Sequence, residues 1–289
     1  MTNEQKQEAM RGRAAALLAQ RAVTYIIGWR ETRFPDRTAV FRAWDEADAK
    51  RLAWNEYTVP MTAKFLTEDR WPDGKIGIFA RGCDSRAINR LLCDKQAERE
   101  SIYILGVPCE GKNDSRCRPC RHRDPLVYDE LLWEPGPAPE PELARFFRAT
   151  EVEALGMAAR FDYWEDVYER CIRCYACRNA CPVCTCRECY VDMHRTGFQP
   201  KRQDATENRI FGITRAFHVG DRCVECGECE RVCPMGLPIL GQTQKIIKTA
   251  EALEGSYESG LDAKRENFLG KFDLDDKDAF AQEGKDAFA

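Results

Sequence analysis

Eight cysteines in two equally spaced groups constrain this chain more than any other feature of its sequence. The groups read Cys171-x-x-Cys174-x-x-Cys177-x-x-x-Cys181-Pro182 and Cys223-x-x-Cys226-x-x-Cys229-x-x-x-Cys233-Pro234. Three thiolates spaced three residues apart on a tight loop can reach three corners of one Fe4S4 cube. The fourth cysteine, which precedes a proline, points away from that cube and can close a second one. Zinc ribbons also use Cys-x-x-Cys pairs, but they need neither the third cysteine nor the offset fourth one.

The same spacing occurs in bacterial ferredoxins with two clusters, where the fourth cysteine of each group binds the cluster of the other group. The pattern therefore predicts two 4Fe-4S clusters with exchanged fourth ligands. The predicted ligands of cluster 1 are Cys171, Cys174, Cys177 and Cys233. Those of cluster 2 are Cys223, Cys226, Cys229 and Cys181.

Composition and charge narrow the class of protein further. The chain has 289 residues, 16 of them cysteines, and a formal net charge of −4, so we expect no strong attraction to nucleic acid or to an anionic membrane. No apolar run is long enough to span a membrane, and residues 1–20 lack the apolar core of a secretory signal. We therefore expect a cytoplasmic protein without direct membrane insertion. In a reducing compartment, dense cysteines indicate metal binding rather than disulfides.

The N-terminal part of the chain predicts an α/β domain with a β-α-β core. Residues 75–80 and 101–107 are typical of buried strands, and residues 86–98 of a helix between them. Strands connected in this way are parallel and adjacent, so their carboxyl ends share one edge of the sheet. Cys83 and Cys109 follow those two ends, which is where α/β folds bind ligands.

Two further cysteines follow on a polar loop and extend this convergence. We predict a third 4Fe-4S cluster with the ligands Cys83, Cys109, Cys117 and Cys120. The alternatives are a structural zinc ion on the same four thiols, or two ligands accompanied by two unrelated thiols.

The remaining four cysteines allow a fourth cluster. Three of them lie in an insertion, residues 183–222, between the two ferredoxin-type groups. The predicted fourth set of ligands is Cys93, Cys184, Cys186 and Cys189. Cys93 lies in the middle of a predicted helix and can equally be a core residue. In that alternative, the other three shape a tight loop, or one of them substitutes into a neighbouring cluster.

These patterns divide the chain into four parts. We predict an α/β domain at 1–133, a proline-rich linker and a helix at 134–165, a ferredoxin-like domain with two clusters and the insertion at 166–240, and a C-terminal helix with a flexible tail at 241–289. Composition also predicts helices at 4–22, 46–54, 61–68, 143–155, 161–170 and 243–254, and strands at 23–27 and 38–44.

The cysteine-bearing segments resemble a known family. Residues 171–192, 216–238, 76–92, 103–111 and 117–131 are similar to iron–sulfur subunits related to the beta subunits of deazaflavin-coenzyme-reducing hydrogenases and formate dehydrogenases. The resemblance covers most of residues 22–240. It implies an electron carrier in a cytoplasmic complex with heterodisulfide-reductase-, formate-dehydrogenase- or hydrogenase-like subunits, and some such complexes perform flavin-based electron bifurcation. Hydrogenase beta subunits of this kind also bind FAD and reduce the deazaflavin; we find no flavin fingerprint here and assign no flavin-binding residues.

Three functions are consistent with the sequence. The first is a non-catalytic electron-transfer subunit whose partners are other redox subunits of the flavin, molybdenum or tungsten, nickel, or heterodisulfide-reductase type. The second is an FAD-dependent reductase of a deazaflavin or nicotinamide coenzyme. The third is a zinc-rich scaffold that binds protein or nucleic acid, which the near-neutral charge and the two Cys-Pro endings disfavour. We find no dinucleotide fingerprint, Walker loop or nucleophile elbow, and therefore assign no catalytic residue.

Overall fold

The computed structural model describes residues 1–67, 73–137, 140–193, 195, 197, 199–200, 202–264 and 267–268. Its strands are β1 (Tyr25–Glu31), β2 (Thr38–Ala43), β3 (Ile76–Ala80), β4 (Ile102–Gly106) and β5 (Glu130–Leu131). Its α-helices are α1 (Asn3–Ala19), α2 (Glu46–Ala49), α3 (Gly82–Cys93), α4 (Phe147–Glu153), α5 (Met157–Glu169), α6 (Ala176–Asn179), α7 (Ala205–Gly220), α8 (Glu228–Arg231) and α9 (Leu240–Glu254). Within these ranges, no helix has both the length and the apolar character needed to cross a membrane.

The strands in the described part of the chain form one sheet in the order β2-β1-β3-β4-β5. β3 and β4 are parallel neighbours from the pair Ile76–Ile102 to the pair Ala80–Gly106, and α3 connects them. The predicted β-α-β core is therefore confirmed. β1 and β5 extend the parallel part on either side, whereas β2 pairs antiparallel with β1 and makes the sheet mixed.

Both faces of this sheet are covered by helices. Successive strand residues point to opposite faces. Ile78 therefore lies in one apolar cluster with Ile88 of α3, and Phe79 lies in another with Met10 of α1. All residues of β3 are buried, as expected for a central parallel strand. The ends of the strands, rather than their faces, are left to present side chains to a ligand.

α3 begins at Gly82, four residues before the predicted start. The carboxylate of Asp84, which the sequence suggested as a cap, instead lies inside the first turn. It accepts hydrogen bonds from the backbone N–H of Arg81 at 3.2 Å and from its guanidinium Nε at 2.7 Å. A side chain at position 82 would not fit, because a Cβ there would lie 2.2 Å from the carbonyl oxygen of His122. The earlier start places Cys83 in the first turn of the helix.

The C-terminal half of the described chain is helical. α5 packs on α7, α7 on α9 and α9 on α4, and two loops carry the ferredoxin-type cysteines. Arg173 and Tyr175 in the first loop and Glu225 and Gly227 in the second have positive φ angles at equivalent positions. Each loop then enters a four-residue helix, α6 or α8. The repeat in the sequence is therefore also a repeat in backbone conformation.

Residues 256–264, at the start of the predicted tail, lie against α3. Arg86 donates to the carbonyl oxygen of Ser259 at 2.8 Å, and Asn89 donates to that of Gly260 at 3.1 Å. Gly260 has φ +79°, and a Cβ there would lie 2.2 Å from the Arg86 carbonyl oxygen. Residues 265–266 and 269–289 of the predicted flexible tail lie outside the described residues, as do residues 138–139 of the predicted linker.

Candidate iron–sulfur centres

The four cysteines of the predicted third cluster line one cavity at the carboxyl edge of the sheet. Cys83 lies in the first turn of α3, and Cys109 follows the end of β4 by three residues. Cys117 ends a 3-10 turn, and Cys120 follows it by three residues. The structure brings these side chains together because β3 and β4 are parallel neighbours. The cavity has a volume of about 1010 Å³, part of it open to solvent.

Buried positive charge surrounds this cavity. Arg81 is 2% exposed and forms an ion pair with Asp84 at 2.7 Å. Burial acts to lower the pKa of Arg81, but the charges of Asp84 and Cys83 outweigh it and the pKa is raised. Burial raises the pKa of Cys83 well above its usual range, and the charges of Arg81 and Arg116 oppose that rise. These cations favour the thiolate, which is the form that binds iron.

The remaining thiols of this group lie close enough to influence one another. Burial raises the pKa of Cys117, and charge on Cys109 adds to the rise. Burial also raises the pKa of Cys120, with further contributions from charge on Cys117 and Cys109. Free thiols therefore disfavour each other's ionisation here. Iron would reverse this, because a bound metal keeps its cysteine ligands deprotonated.

The first ferredoxin-type loop receives its fourth cysteine from the second loop. Burial raises the pKa of both Cys171 and Cys177, and charge on Cys233 raises each of them further. Cys174 also acts on Cys171 and is the exposed member of the group. The Cys233 sulfur accepts a hydrogen bond from the backbone N–H of Leu237 at 3.5 Å. Such bonds to sulfur are one means by which a protein adjusts a cluster's reduction potential.

The second loop receives Cys181 from the first in the same way. Burial raises the pKa of Cys223, Cys226 and Cys229, that of Cys226 to about 12, and charge on Cys181 adds to each rise. The pKa of Cys181 itself is lowered to about 6, chiefly by a hydrogen bond from the Cys184 thiol. The structure thus assembles both groups of four; their role as cluster ligands stays a prediction.

A buried ion pair joins the cavity of the α/β domain to the second ferredoxin-type loop. Arg116, in the 3-10 turn that ends at Cys117, pairs with Glu228 of α8 and donates to the Cys226 carbonyl oxygen at 3.4 Å. Gly227 permits this approach, because a Cβ there would lie 2.8 Å from the Arg116 Cβ. Cys226 lines the same cavity as the four cysteines of the α/β domain.

A second buried arginine lies between the two ferredoxin-type groups. Arg215 of α7 is 5% exposed and donates to the Cys177 carbonyl oxygen at 3.1 Å. Burial acts to lower the pKa of its guanidinium, but charge on Cys181 and Cys229 outweighs this and the pKa is raised. Its Nε has no hydrogen-bond acceptor among the described residues. The sequence analysis missed both arginines: Arg116 stands in a visibly basic loop, whereas no local pattern distinguishes Arg215.

The cysteines of the insertion line a second, separate cavity of about 720 Å³, partly open to solvent. They are Cys184, Cys186 and Cys189. Cys93 is not among the residues that line it. The Cys93 thiol lies instead 3.6 Å from the carbonyl oxygen of Asp262, where the start of the tail crosses α3. The structure therefore does not assemble the predicted fourth set of ligands as a whole.

The three complete groups fit iron–sulfur clusters better than single metal ions. In the part of the chain that the structure describes, no three His, Cys, Asp or Glu side chains converge closely enough to hold one ion. A 4Fe-4S cluster does not require such convergence, because its four thiolates bind four separate iron atoms of one core. The buried guanidinium of Arg215, with its unsatisfied Nε, fits a group of net negative charge.

Comparison with known proteins supports this interpretation for part of the chain. Residues 167–237 match the family described as 4Fe-4S dicluster domain. This segment contains both ferredoxin-type groups and the insertion between them.

Relatives with established names match parts of the chain. It is 37% identical over 76 residues to the beta subunit of the F420-dependent formate dehydrogenase of Methanocaldococcus jannaschii, covering 26% of this chain and 20% of the relative. It is 40% identical over 113 residues to the beta subunit of the F420-dependent formate dehydrogenase 1 of Methanococcus maripaludis, covering 37% and 27%. It is 28% identical over 101 residues to a fumarate reductase (CoM/CoB) subunit of Methanothermobacter marburgensis, covering 33% and 19%.

These matches span between 19% and 27% of the length of the curated relatives. They confirm the resemblance predicted from the cysteine-bearing segments. The chain is an iron–sulfur protein with a 4Fe-4S dicluster domain, similar over these segments to the beta subunits of F420-dependent formate dehydrogenases.

Proposed function

We propose that this protein is the electron-transfer subunit of a cytoplasmic, multi-subunit oxidoreductase, and that it relays single electrons through three 4Fe-4S clusters. The observation that carries the proposal is the grouping of its cysteines into three sets of four in space. Two of these sets share a wall, because Cys226 lines the cavity of the third cluster. The 4Fe-4S dicluster match at residues 167–237 supports the other two.

The arrangement favours a linear path from cluster 3 through cluster 2 to cluster 1. Arg116 and Glu228 hold the α/β domain against the second loop, next to Cys226. The exchanged cysteines then link the second loop to the first. Both ends of this path reach the surface: the cavity of cluster 3 is partly open to solvent, and Cys174 of cluster 1 is exposed. A donor and an acceptor can therefore dock at different places.

The partners we propose are redox subunits. The named relatives are subunits of formate dehydrogenases and of a fumarate reductase. By analogy, a molybdenum- or tungsten-containing, flavin-containing, nickel-containing or heterodisulfide-reductase-type subunit would supply or accept the electrons. An electron-bifurcating complex is one such setting.

The first experiment is iron and sulfide analysis of protein purified without oxygen. We expect about 12 iron atoms and about 12 acid-labile sulfides per chain from three clusters. Cys109→Ala should lose about 4 of each and keep the two ferredoxin-type clusters, and Cys93→Ala is the matched control that should lose none. A colourless protein without acid-labile sulfide refutes the proposal, and zinc without iron supports the scaffold alternative.

The second experiment tests the relay itself in the complex isolated with its partner subunits. Cys109→Ala should stop electron flow between the natural donor and acceptor, because it removes the cluster at one end of the path. Reduction of the remaining two clusters by dithionite should persist. Unchanged flow in a variant that has lost its third cluster would contradict the proposed path.

One observation favours the flavin-dependent reductase as a second candidate. The cavity at the α/β domain extends beyond the four thiols to Arg121, Arg145 and Arg148, which would suit the phosphates of FAD. A bound flavin could exchange a hydride with a deazaflavin or nicotinamide coenzyme and pass single electrons to the clusters. Acid precipitation decides between the two: about one flavin per chain in a yellow supernatant supports the reductase, and a flavin-free supernatant supports the carrier.

A further inference from the structure

We infer that Arg215 is the shared counter-charge of the two ferredoxin-type clusters and raises their reduction potentials. Arg215 would therefore be a positioning and tuning residue rather than a ligand or a catalytic residue. The inference rests on the proposed function, because it assumes that clusters 1 and 2 form on the cysteines named above.

Arg215 lies at the junction of the two groups of thiols. It comes from α7, inside the insertion that separates the two loops in sequence, and its side chain is buried. It donates to the carbonyl oxygen of Cys177 from cluster 1, and the charges that act on it most strongly include Cys181 and Cys229 from cluster 2. One guanidinium therefore reaches both predicted clusters.

The thiols identify the same cation from their side. Burial raises the pKa of Cys177 and of Cys229, and in both cases Arg215 is the strongest charge that opposes the rise. Arg215 therefore favours negative charge on sulfur in both groups. Cluster 2 should respond more strongly than cluster 1, because two of its thiols, Cys181 and Cys229, interact with the guanidinium.

A buried cation without an anionic partner is unfavourable, so the surroundings of Arg215 need a negative group. Other arginines of this region have a carboxylate: Arg116 pairs with Glu228, and Arg209, on the same helix as Arg215, pairs with Glu165. Around Arg215 the charges that act most strongly are thiols, and its Nε lacks an acceptor among the described residues. Anionic iron–sulfur clusters supply the charge that this position lacks.

The direction of the effect follows from charge. Each cluster takes up one electron from a reductant such as dithionite, and its net negative charge then increases. A nearby buried cation stabilises the reduced form more than the oxidised form, and therefore raises the potential. Removing the charge lowers the potential, and the low dielectric of the buried site limits screening by solvent and salt.

The test is a redox titration of clusters 1 and 2, monitored by EPR, in the full chain purified without oxygen. At a fixed potential, Arg215→Gln should lower the ratio of reduced to oxidised cluster 2 by roughly tenfold, which is ~59 mV for one electron. Cluster 1 should shift in the same direction and by less. Arg215→Lys keeps the charge and should shift clearly less than Arg215→Gln. Arg209→Gln, on the same helix but paired with Glu165, should leave both potentials unchanged.

Iron content separates the possible failures. If wild-type protein binds no iron at residues 167–237, the proposed function fails. If Arg215→Gln keeps its iron but its potentials match wild type, or if Arg215→Lys shifts as much as Arg215→Gln, the counter-charge inference is overturned. Where Arg215→Gln loses its clusters, Arg215→Lys decides: restored iron with a near-wild-type potential supports a role for charge, and loss of iron in both variants refutes it.

Discussion

Replacing Cys181 by alanine tests whether the two ferredoxin-type loops exchange their last ligands. Cys181 follows Cys177 by four residues in the chain, yet its charge acts on Cys223, Cys226 and Cys229 of the other loop. Loss of its thiol should therefore remove cluster 2 and spare cluster 1. If each loop instead bound a cluster with its own four cysteines, the same change would remove cluster 1.

The magnitude follows from the number of clusters. Loss of one cluster in three removes about 4 of about 12 iron atoms per chain, with the same amount of sulfide. The neighbouring Cys184 thiol donates a hydrogen bond to Cys181 and could replace it as a ligand. The decisive variant is therefore the double change Cys181→Ala with Cys184→Ala. Cys184→Ala alone should keep all of its iron and serves as the matched control.

The assay combines iron and sulfide analysis with EPR spectra of the dithionite-reduced protein. The double variant should give the spectrum of Cys223→Ala, although the two sites are far apart in sequence. Cys233→Ala should in turn match Cys171→Ala. A double variant whose spectrum matches Cys171→Ala would refute the exchange of ligands.

Further predictions concern glycines and the unassembled cysteine. Gly227→Ala and Gly236→Ala both place a Cβ at positive φ, at a cost of roughly 1–2 kcal/mol. Only Gly227→Ala also displaces the adjacent arginine, so its apparent Tm should fall further; equal values would contradict this. Gly260→Ala should release residues 256–264 to limited proteolysis, whereas Gly255→Ala, with open space around its Cβ, should not. Cys93→Ala should leave all EPR cluster signals intact, and loss of any signal would restore Cys93 as a ligand.

The features that follow local rules could be predicted from the sequence. Parallel pairing of β3 and β4 follows from the length of the segment between them, and that pairing brings Cys83 and Cys109 to one edge. The exchange of Cys181 and Cys233 follows from the spacing of the cysteines and the prolines after them. Asp45 caps α2 as predicted, by accepting from the backbone N–H of Asp48.

Features that depend on tertiary contacts could not be predicted. α2 ends at Ala49 rather than at residue 54, because helix propensity alone does not fix where a helix stops. The two-residue strand β5 carries too little pattern to be recognised. Arg215 belongs to an ordinary amphipathic helix, and its position between two groups of thiols exists only in the folded chain. Cys93 was grouped with the insertion by counting, which contains no information about distance.

The contact of residues 256–264 with α3 gives the molecule a second fastening between its halves. The chain leaves the sheet after Trp133, passes through the helical half, and returns to α3 at Ser259 and Gly260. Two domains joined by a single linker usually move against each other. Here the path between donor and acceptor keeps a constant length without a hinge motion. A fragment ending at residue 254 would therefore slow the passage of electrons while its cubes stayed filled.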